Sequence, residues 1–140
     1  MARAKKEKQL VLDADPRWPA FVERYAFELY KFAAEVCGMG IVGKPITDQQ
    51  KELFDEASPY GCRVSVASGH GTGKTRSFGV IALWHLLCYR NSNTYITAPK
   101  LKTVREGVWK EITTLKAMIE KGPHAWIAQY ITIQAEKVYI

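Results

Sequence analysis

The glycine-rich stretch from Ser68 to Thr75 constrains the fold of this chain more than any other feature. It reads Ser-Gly-His-Gly-Thr-Gly-Lys-Thr, follows a short segment of alternating apolar and polar residues over 62–67, and precedes an apolar run over 78–89. The order of strand, glycine-rich loop and helix is the context that a phosphate-binding loop requires. The sequence therefore predicts an α/β fold built around a nucleotide site.

The residue types of this loop suit the binding of phosphate. Glycines adopt positive φ angles easily and bring successive backbone N–H groups close to an anion, and the following helix adds its unpaired N–H groups and the positive end of its dipole. Lys74 is placed to reach the β- and γ-phosphates of ATP, and the Thr75 hydroxyl to ligate Mg²⁺, so we predict these two as the catalytic residues. The predicted nucleotide-binding residues of the loop and first helical turn are Ser68, Gly69, His70, Gly71, Thr72, Gly73, Lys74, Thr75 and Arg76.

Two loop positions leave alternatives open. Ser68 stands where the usual pattern G-x-x-x-x-G-K-[ST] has its first glycine, and His70 either points to solvent or approaches the γ-phosphate. A glycine-rich turn without a ligand needs one or two glycines, but not a lysine and a hydroxyl residue after the third. We therefore favour the nucleotide site over a bare turn.

Gln50 lies upstream of the loop and has two candidate roles. As the fourth residue from Thr47 it completes a capping box at the start of a helix. Its amide also carries both a donor and an acceptor, which suits the edge of adenine. The two roles are compatible, so Gln50 joins the predicted nucleotide-binding residues.

Hydrophobic spacing predicts the remaining elements, and Asp15 and Pro16 give the first helix a capping carboxylate and a favourable first residue. Two strands joined by a helix form a βαβ unit, which implies parallel pairing. The predicted elements in chain order are a helix over 16–37, a helix over 47–57, a strand over 62–67, a helix over 74–89, a strand over 94–98, a helix over 100–121 and a strand that begins near 131.

Composition places the chain among soluble, reduced proteins. The net charge is +6, which permits a nucleic-acid partner, and no apolar run is long enough for a membrane span or a secretory signal. The three cysteines, Cys37, Cys62 and Cys88, are widely spaced, and we interpret them as buried thiols. We predict a basic disordered tail over 1–9, an N-terminal helical segment over 10–42 and a P-loop ATPase domain over 43–140.

The block from Arg63 to Thr75, with Gln50 upstream and Thr97-Ala98-Pro99 downstream, resembles the ATPase domain of tailed-bacteriophage terminase large subunits. The similarity covers about residues 43 to 120, and helicase-type ATPases share the same features. The resemblance implies a three-layer P-loop NTPase fold with a mainly parallel sheet, in a motor that drives double-stranded viral DNA into procapsids.

The resemblance also implies partners and a location. The complete protein would form a homo-oligomeric ring, work with a portal protein and a small terminase subunit, and act in the cytoplasm of the infected bacterial host, without a membrane. Lys100, Lys102 and Arg105 would lie where related motors contact the DNA backbone, although a solvated helix face explains these three residues equally well.

The carboxylates of a complete motor are missing from this sequence. Mg-ATP hydrolysis in this class needs an aspartate at the end of an apolar strand with an adjacent glutamate, but no aspartate follows Asp55. Nothing corresponds to the clustered carboxylates of the terminase nuclease domain. We therefore expect the N-terminal part of a larger ATPase, with its sheet incomplete in this chain. The alternatives are a helicase-like or kinase-like P-loop protein and a non-catalytic nucleotide-binding module.

Overall fold

A computed structural model describes residues 11–40, 45–66, 74–134 and 137–139, so the predicted tail over 1–9 lies outside the described residues. The described residues are mostly helical. After a 3₁₀ turn over Leu12–Ala14, the elements are α1 (Trp18–Tyr25), α2 (Leu29–Lys31) with a π-helical continuation (Phe32–Val36), α3 (Asp48–Ala57), α4 (Lys74–Cys88), α5 (Leu101–Val104), a second π-helical segment (Arg105–Trp109), α6 (Lys110–Glu120), α7 (Ala125–Ala128), β1 (Thr132–Ile133) and β2 (Val138–Tyr139).

Helix α4 lies at the centre of one hydrophobic core. It packs against α1, α3 and α6, as expected for a helix that is apolar on nearly every side. Val80 and Leu87 of α4 are fully buried, and so are Leu115 of α6 and Phe32 after α2. Helices on both sides of the domain boundary predicted at 42 and 43 contribute to this core, and the boundary itself stays a prediction.

The single helix predicted over 16–37 is wrong, because the chain breaks between α1 and α2. The indole N–H of Trp84 donates to the carbonyl of Tyr25 at 2.7 Å, and the backbone N–H of Leu29 donates to Ser58 Oγ at 3.0 Å. Since partners from distant elements satisfy these backbone groups, the helix can stop and restart without leaving them unpaired. The partners lie far away in sequence, so the periodicity of residues 16–37 gives no sign of the break.

Asp15 ties the start of the chain to the segment before β1. Its carboxylate accepts hydrogen bonds from the backbone N–H of Arg17 at 2.9 Å, from the Arg17 guanidinium at 2.8 Å and from the Tyr130 hydroxyl at 2.7 Å. These hydrogen bonds stabilise the carboxylate and hold the pKa of Asp15 well below its usual range. The bond from the Arg17 guanidinium has the largest effect. Asp15 is therefore an anchor rather than the helix cap that we predicted, and α1 begins only at Trp18.

Neither of the strands predicted over 62–67 and 94–98 forms in the described part of the chain. Residues 62–66 and 92–98 are irregular and do not pair with each other. The side chains of Val64 and Tyr95 are 42% and 87% exposed, whereas parallel strands are normally covered on both faces. A strand needs ladder partners, and these segments have none in the described chain. The parallel sheet of a P-loop fold is therefore not confirmed.

The described sheet is a two-stranded antiparallel hairpin near the end of the chain. Thr132 of β1 lies opposite Tyr139 of β2, and Ile133 opposite Val138. The strand predicted near 131 is confirmed in position. Pairing within a hairpin satisfies backbone groups locally, which explains why strand structure forms here and not in the two segments predicted to be parallel.

Two of the three cysteines match the prediction. Cys37 and Cys88 are buried, and burial raises the pKa of both thiols far above the usual range. The prediction is wrong for Cys62, which is exposed. It belongs to the irregular segment over 62–66, and in the predicted sheet it would have been covered.

Candidate functional site

The start of α3 positions Gln50. The Thr47 Oγ1 accepts the backbone N–H of Gln50 at 3.2 Å, and the Gln50 Oε1 accepts the backbone N–H of Thr47 at 3.1 Å. This confirms the predicted capping box. The carbonyl oxygen of an amide has two lone pairs and the box uses one, so capping does not exclude a second contact of the Gln50 amide.

A cavity of about 300 Å³ lies between α3, residues 64–66 and the start of α4. Gln50 and Lys74 both line it, although 24 residues separate them in sequence. Gln50 is only 8% exposed, so its amide is held in place by burial as well as by the capping box. The lining residues are Gln49, Gln50, Glu52, Leu53, Glu56, Val64, Ser65, Val66, Lys74 and Ser77.

Lys74 is the first residue of α4 and is partly exposed. Within the described part of the chain its ammonium group has no hydrogen bond and no ion pair, whereas Glu52 and Glu56 add two carboxylates to the same cavity wall. The dipole of α4 adds positive potential at its first turn. Lys74 and the α4 dipole therefore favour an anion in this cavity, whereas the carboxylates of Glu52 and Glu56 oppose one.

Thr75 and Arg76 follow Lys74 but do not line this cavity. The Arg76 Nε donates to Glu111 Oε2 of α6 at 2.8 Å. The methyl group of Thr75 faces Gly107, where an added Cβ would lie 3.5 Å from Thr75 Cγ2. Arg76 therefore does not lie in the cavity, and its predicted nucleotide-binding role stays a prediction.

Six predicted loop residues lie outside the described residues, because 67–73 are not described. Their predicted roles stay predictions. They are Ser68, Gly69, His70, Gly71, Thr72 and Gly73.

The predicted DNA-contact residues lie at a different place. Lys100, Lys102 and Arg105 are exposed, and none of them lines the cavity of Gln50 and Lys74. The Lys102 Nζ lies 3.9 Å from Glu106 Oε1, one helical turn later, with both side chains largely in solvent. Such a pair contributes little to stability. Their exposure suits both a DNA contact and a solvated helix face.

A larger cavity of about 840 Å³ lies along the second half of α4. Residues 92–97 form one wall, and residues of α6 and the hairpin form others. It contains none of the predicted nucleotide-binding residues. The irregular segment 92–97 covers α4 there without pairing into a sheet.

Two other kinds of site are not found in the described ranges. No three histidine, cysteine, aspartate or glutamate side chains there come close enough to hold a metal ion. Across the same residues, the helices are too short or too polar to cross a membrane.

Comparison with known proteins places the chain near a phage protein. It is 31% identical over 120 residues to the "Probable terminase, large subunit" of Enterobacteria phage P7. The chain is related to a phage terminase large subunit. The alignment covers 85% of this chain but only 23% of the phage P7 protein. The chain therefore spans less than a quarter of the length of that relative. No family model and no solved structure matches the chain.

Proposed function

We propose that this terminase relative binds Mg-ATP in the cavity between α3 and α4, as the nucleotide-binding part of a viral DNA-packaging ATPase. The observation that carries the proposal is the meeting of Gln50 and Lys74 in one cavity. The sequence assigns these two residues to opposite ends of the nucleotide on separate grounds. The cavity volume of about 300 Å³ lies at the lower end of the range for ligand pockets.

The proposed roles follow from the chemistry of the side chains. The Gln50 amide contacts the adenine edge, and Lys74 neutralises the β- and γ-phosphates; the sequence over 68–73, outside the described residues, predicts backbone N–H donors to the same phosphates. The Thr75 hydroxyl would supply one oxygen to Mg²⁺, which requires Thr75 to face the nucleotide; in this structure Thr75 lies outside the cavity lining, with its methyl group against Gly107. Such an ion takes most of its other ligands from phosphates and water, so binding of Mg-ATP does not require a cluster of carboxylates in this chain. When bound, Mg²⁺ offsets charge on the phosphates.

We propose hydrolysis for the complete motor only. This sequence holds no aspartate after Asp55 that would correspond to the metal-binding carboxylate of such ATPases. In the complete motor, residues 62–67 and 94–98 would be strands of a parallel P-loop sheet. Their exposed apolar side chains and unpaired backbone support this proposal.

The proposed partners are those of a packaging motor. They are double-stranded DNA, a portal protein, a small terminase subunit and further copies of the chain in a ring, in the cytoplasm of the infected host. The relationship to the phage P7 protein supports the packaging role in general. We assign the DNA contact to Lys100, Lys102 and Arg105.

Replacing Gln50 tests the base contact. We expect the wild-type chain to bind Mg-ATP about tenfold more tightly than Mg-GTP, because a bidentate amide contact to adenine discriminates by about 1–3 kcal/mol. Gln50→Ala should lose this preference, but it also breaks the capping box. Gln50→Glu keeps the cap and removes the amide donor, so it should lose the preference while retaining helix α3. Calorimetric titration with both nucleotides would measure this, and equal wild-type affinities would exclude the adenine role.

Salt dependence tests the DNA-binding surface. Changing Lys100, Lys102 and Arg105 to glutamine should weaken binding of duplex DNA and flatten its salt dependence by about 0.9 in logarithmic slope for each phosphate that is no longer neutralised. Changing Lys110, Lys116 and Lys121 to glutamine removes the same charge from α6 and its end and should leave the slope nearly unchanged. Fluorescence anisotropy at several salt concentrations would measure both. Tighter binding of single-stranded DNA would instead favour the helicase-like alternative.

A further inference from the structure

We infer that Glu111 is a positioning residue for the proposed nucleotide site and that it acts through Arg76. Glu111 lies on α6, and no sequence pattern connects it with the loop. The inference rests on the proposed function, because it assigns an added residue to the same site. It also changes the expected role of Arg76 from a phosphate ligand to a link between two helices.

The ion pair joins the first turn of α4 to α6. The Arg76 Nε lies 2.8 Å from Glu111 Oε2, and the two side chains are 36% and 28% exposed. With about a third of each side chain exposed, the pair is partly shielded from solvent, so it is stronger than a pair on an open surface. Arg76 directly follows Lys74 and Thr75, so whatever fixes Arg76 also fixes the backbone that carries them.

Close packing brings the two helices within reach of this pair. Gly79 lies three residues after Arg76 on α4, and a Cβ added there would be 3.2 Å from Leu115 Cδ1 and 3.6 Å from Glu111 Cβ. A side chain at position 79 would push the Leu115 side chain away by a few tenths of an ångström, so glycine suits this close approach. Three successive contacts thus join the start of α4 to the helices over 101–120. They pair Thr75 with Gly107, Arg76 with Glu111, and Gly79 with Leu115.

A first helical turn needs such a support, because its N–H groups have no partners within the helix. In a phosphate-binding loop these N–H groups and the lysine must point in a fixed direction before the ligand arrives, since ordering them on binding costs affinity. Glu111 holds Arg76 towards α6 and so fixes the turn from the side away from the cavity of Gln50.

The two candidate roles of Arg76 predict opposite effects of removing Glu111. If Arg76 binds phosphate directly, Glu111 competes for it, and Glu111→Ala should leave Mg-ATP binding unchanged or tighter. If Glu111 positions the turn through Arg76, Glu111→Ala and Arg76→Ala should each weaken Mg-ATP binding about threefold. The double variant should then be no weaker than either single variant, because both changes remove one interaction. Glu120→Ala removes an exposed carboxylate from the same helix and is the matched control.

Amide hydrogen exchange, followed by mass spectrometry without nucleotide, tests the positioning independently of binding. We expect exchange over residues 75–80 to be about threefold faster in Glu111→Ala than in the wild type or Glu120→Ala. Unchanged exchange over 75–80 would overturn the inference, and so would unchanged or tighter Mg-ATP binding by Glu111→Ala. Faster exchange in Glu111→Ala, together with a wild-type chain that does not bind Mg-ATP, would overturn the proposed function and would reduce Glu111 to a packing contact.

Discussion

Replacing Lys74 by alanine is expected to weaken Mg-ATP binding about a hundredfold and to leave the fold of the chain intact. A hydrogen bond to a charged group contributes about 1.5–3 kcal/mol, and here the missing ammonium also leaves phosphate charge uncompensated. Every 1.4 kcal/mol is about a tenfold change in affinity, so the upper end of this range corresponds to about a hundredfold weakening.

The fold should survive this change because Lys74 contributes little to it. The side chain is partly exposed, and its ammonium makes no ion pair with the residues that the structure describes. Alanine is the best helix former, so α4 keeps its first residue. Calorimetric titration with Mg-ATP would measure the change in affinity, and far-ultraviolet circular dichroism the fold. Lys110→Ala, which removes an exposed lysine from α6, should bind like the wild type. Equal binding by Lys74→Ala would overturn the nucleotide site.

Features determined by neighbouring residues could be predicted from the sequence. The capping box of Thr47 and Gln50 depends on four consecutive residues, and the structure contains both of its hydrogen bonds. Helices α3 and α4 follow the predicted bounds to within one residue. The helical stretch predicted over 100–121 ends at Glu120, within one residue of the predicted end, and Pro123 follows where the chain leaves the helix.

Features determined by distant partners could not be predicted. The break after Tyr25 depends on Trp84, which lies 59 residues away, and neither residue carries a local sign of the hydrogen bond. The link from Arg76 to Glu111 likewise spans 35 residues. The parallel strands are not confirmed for a related reason, because alternation of apolar residues predicts a preference for strand but supplies no hydrogen-bonding neighbour.

The candidate site divides in the same way. Motifs alone predict Gln50 and Lys74 as site residues, whereas their position in one cavity depends on how α3 packs against α4. Ser77 and Leu53 line that cavity too, and no motif selects them, since both look like ordinary helix positions. A motif thus predicts which chemistry is present, while the neighbours of that chemistry depend on the tertiary contacts.

Phe32→Ala is expected to lower the free energy of unfolding by about 3–5 kcal/mol, because removing a buried phenyl ring forfeits its burial and leaves a cavity. Phe32 is fully buried and lies edge-on to the rings of Phe21 and Tyr25, with centroids 6.2 Å away in each case. A domain of ordinary stability has about 5–15 kcal/mol in total, so this change should bring the chain close to unfolding at room temperature.

Phe27→Ala is the matched control for this prediction. Phe27 lies five residues earlier, is 66% exposed and should change the free energy of unfolding by no more than about 0.5 kcal/mol. Urea denaturation followed by tryptophan fluorescence would measure both variants. If Phe32→Ala is too unstable to purify, Phe32→Leu can replace it. Leucine keeps more of the side-chain volume, so this variant should also lower the free energy of unfolding, but by less. Equal effects at positions 27 and 32 would mean that the helix after α2 does not pack into the core in solution. The break between α1 and α2 matters here, because it orients the helix that buries Phe32 while Phe27 stays at the surface.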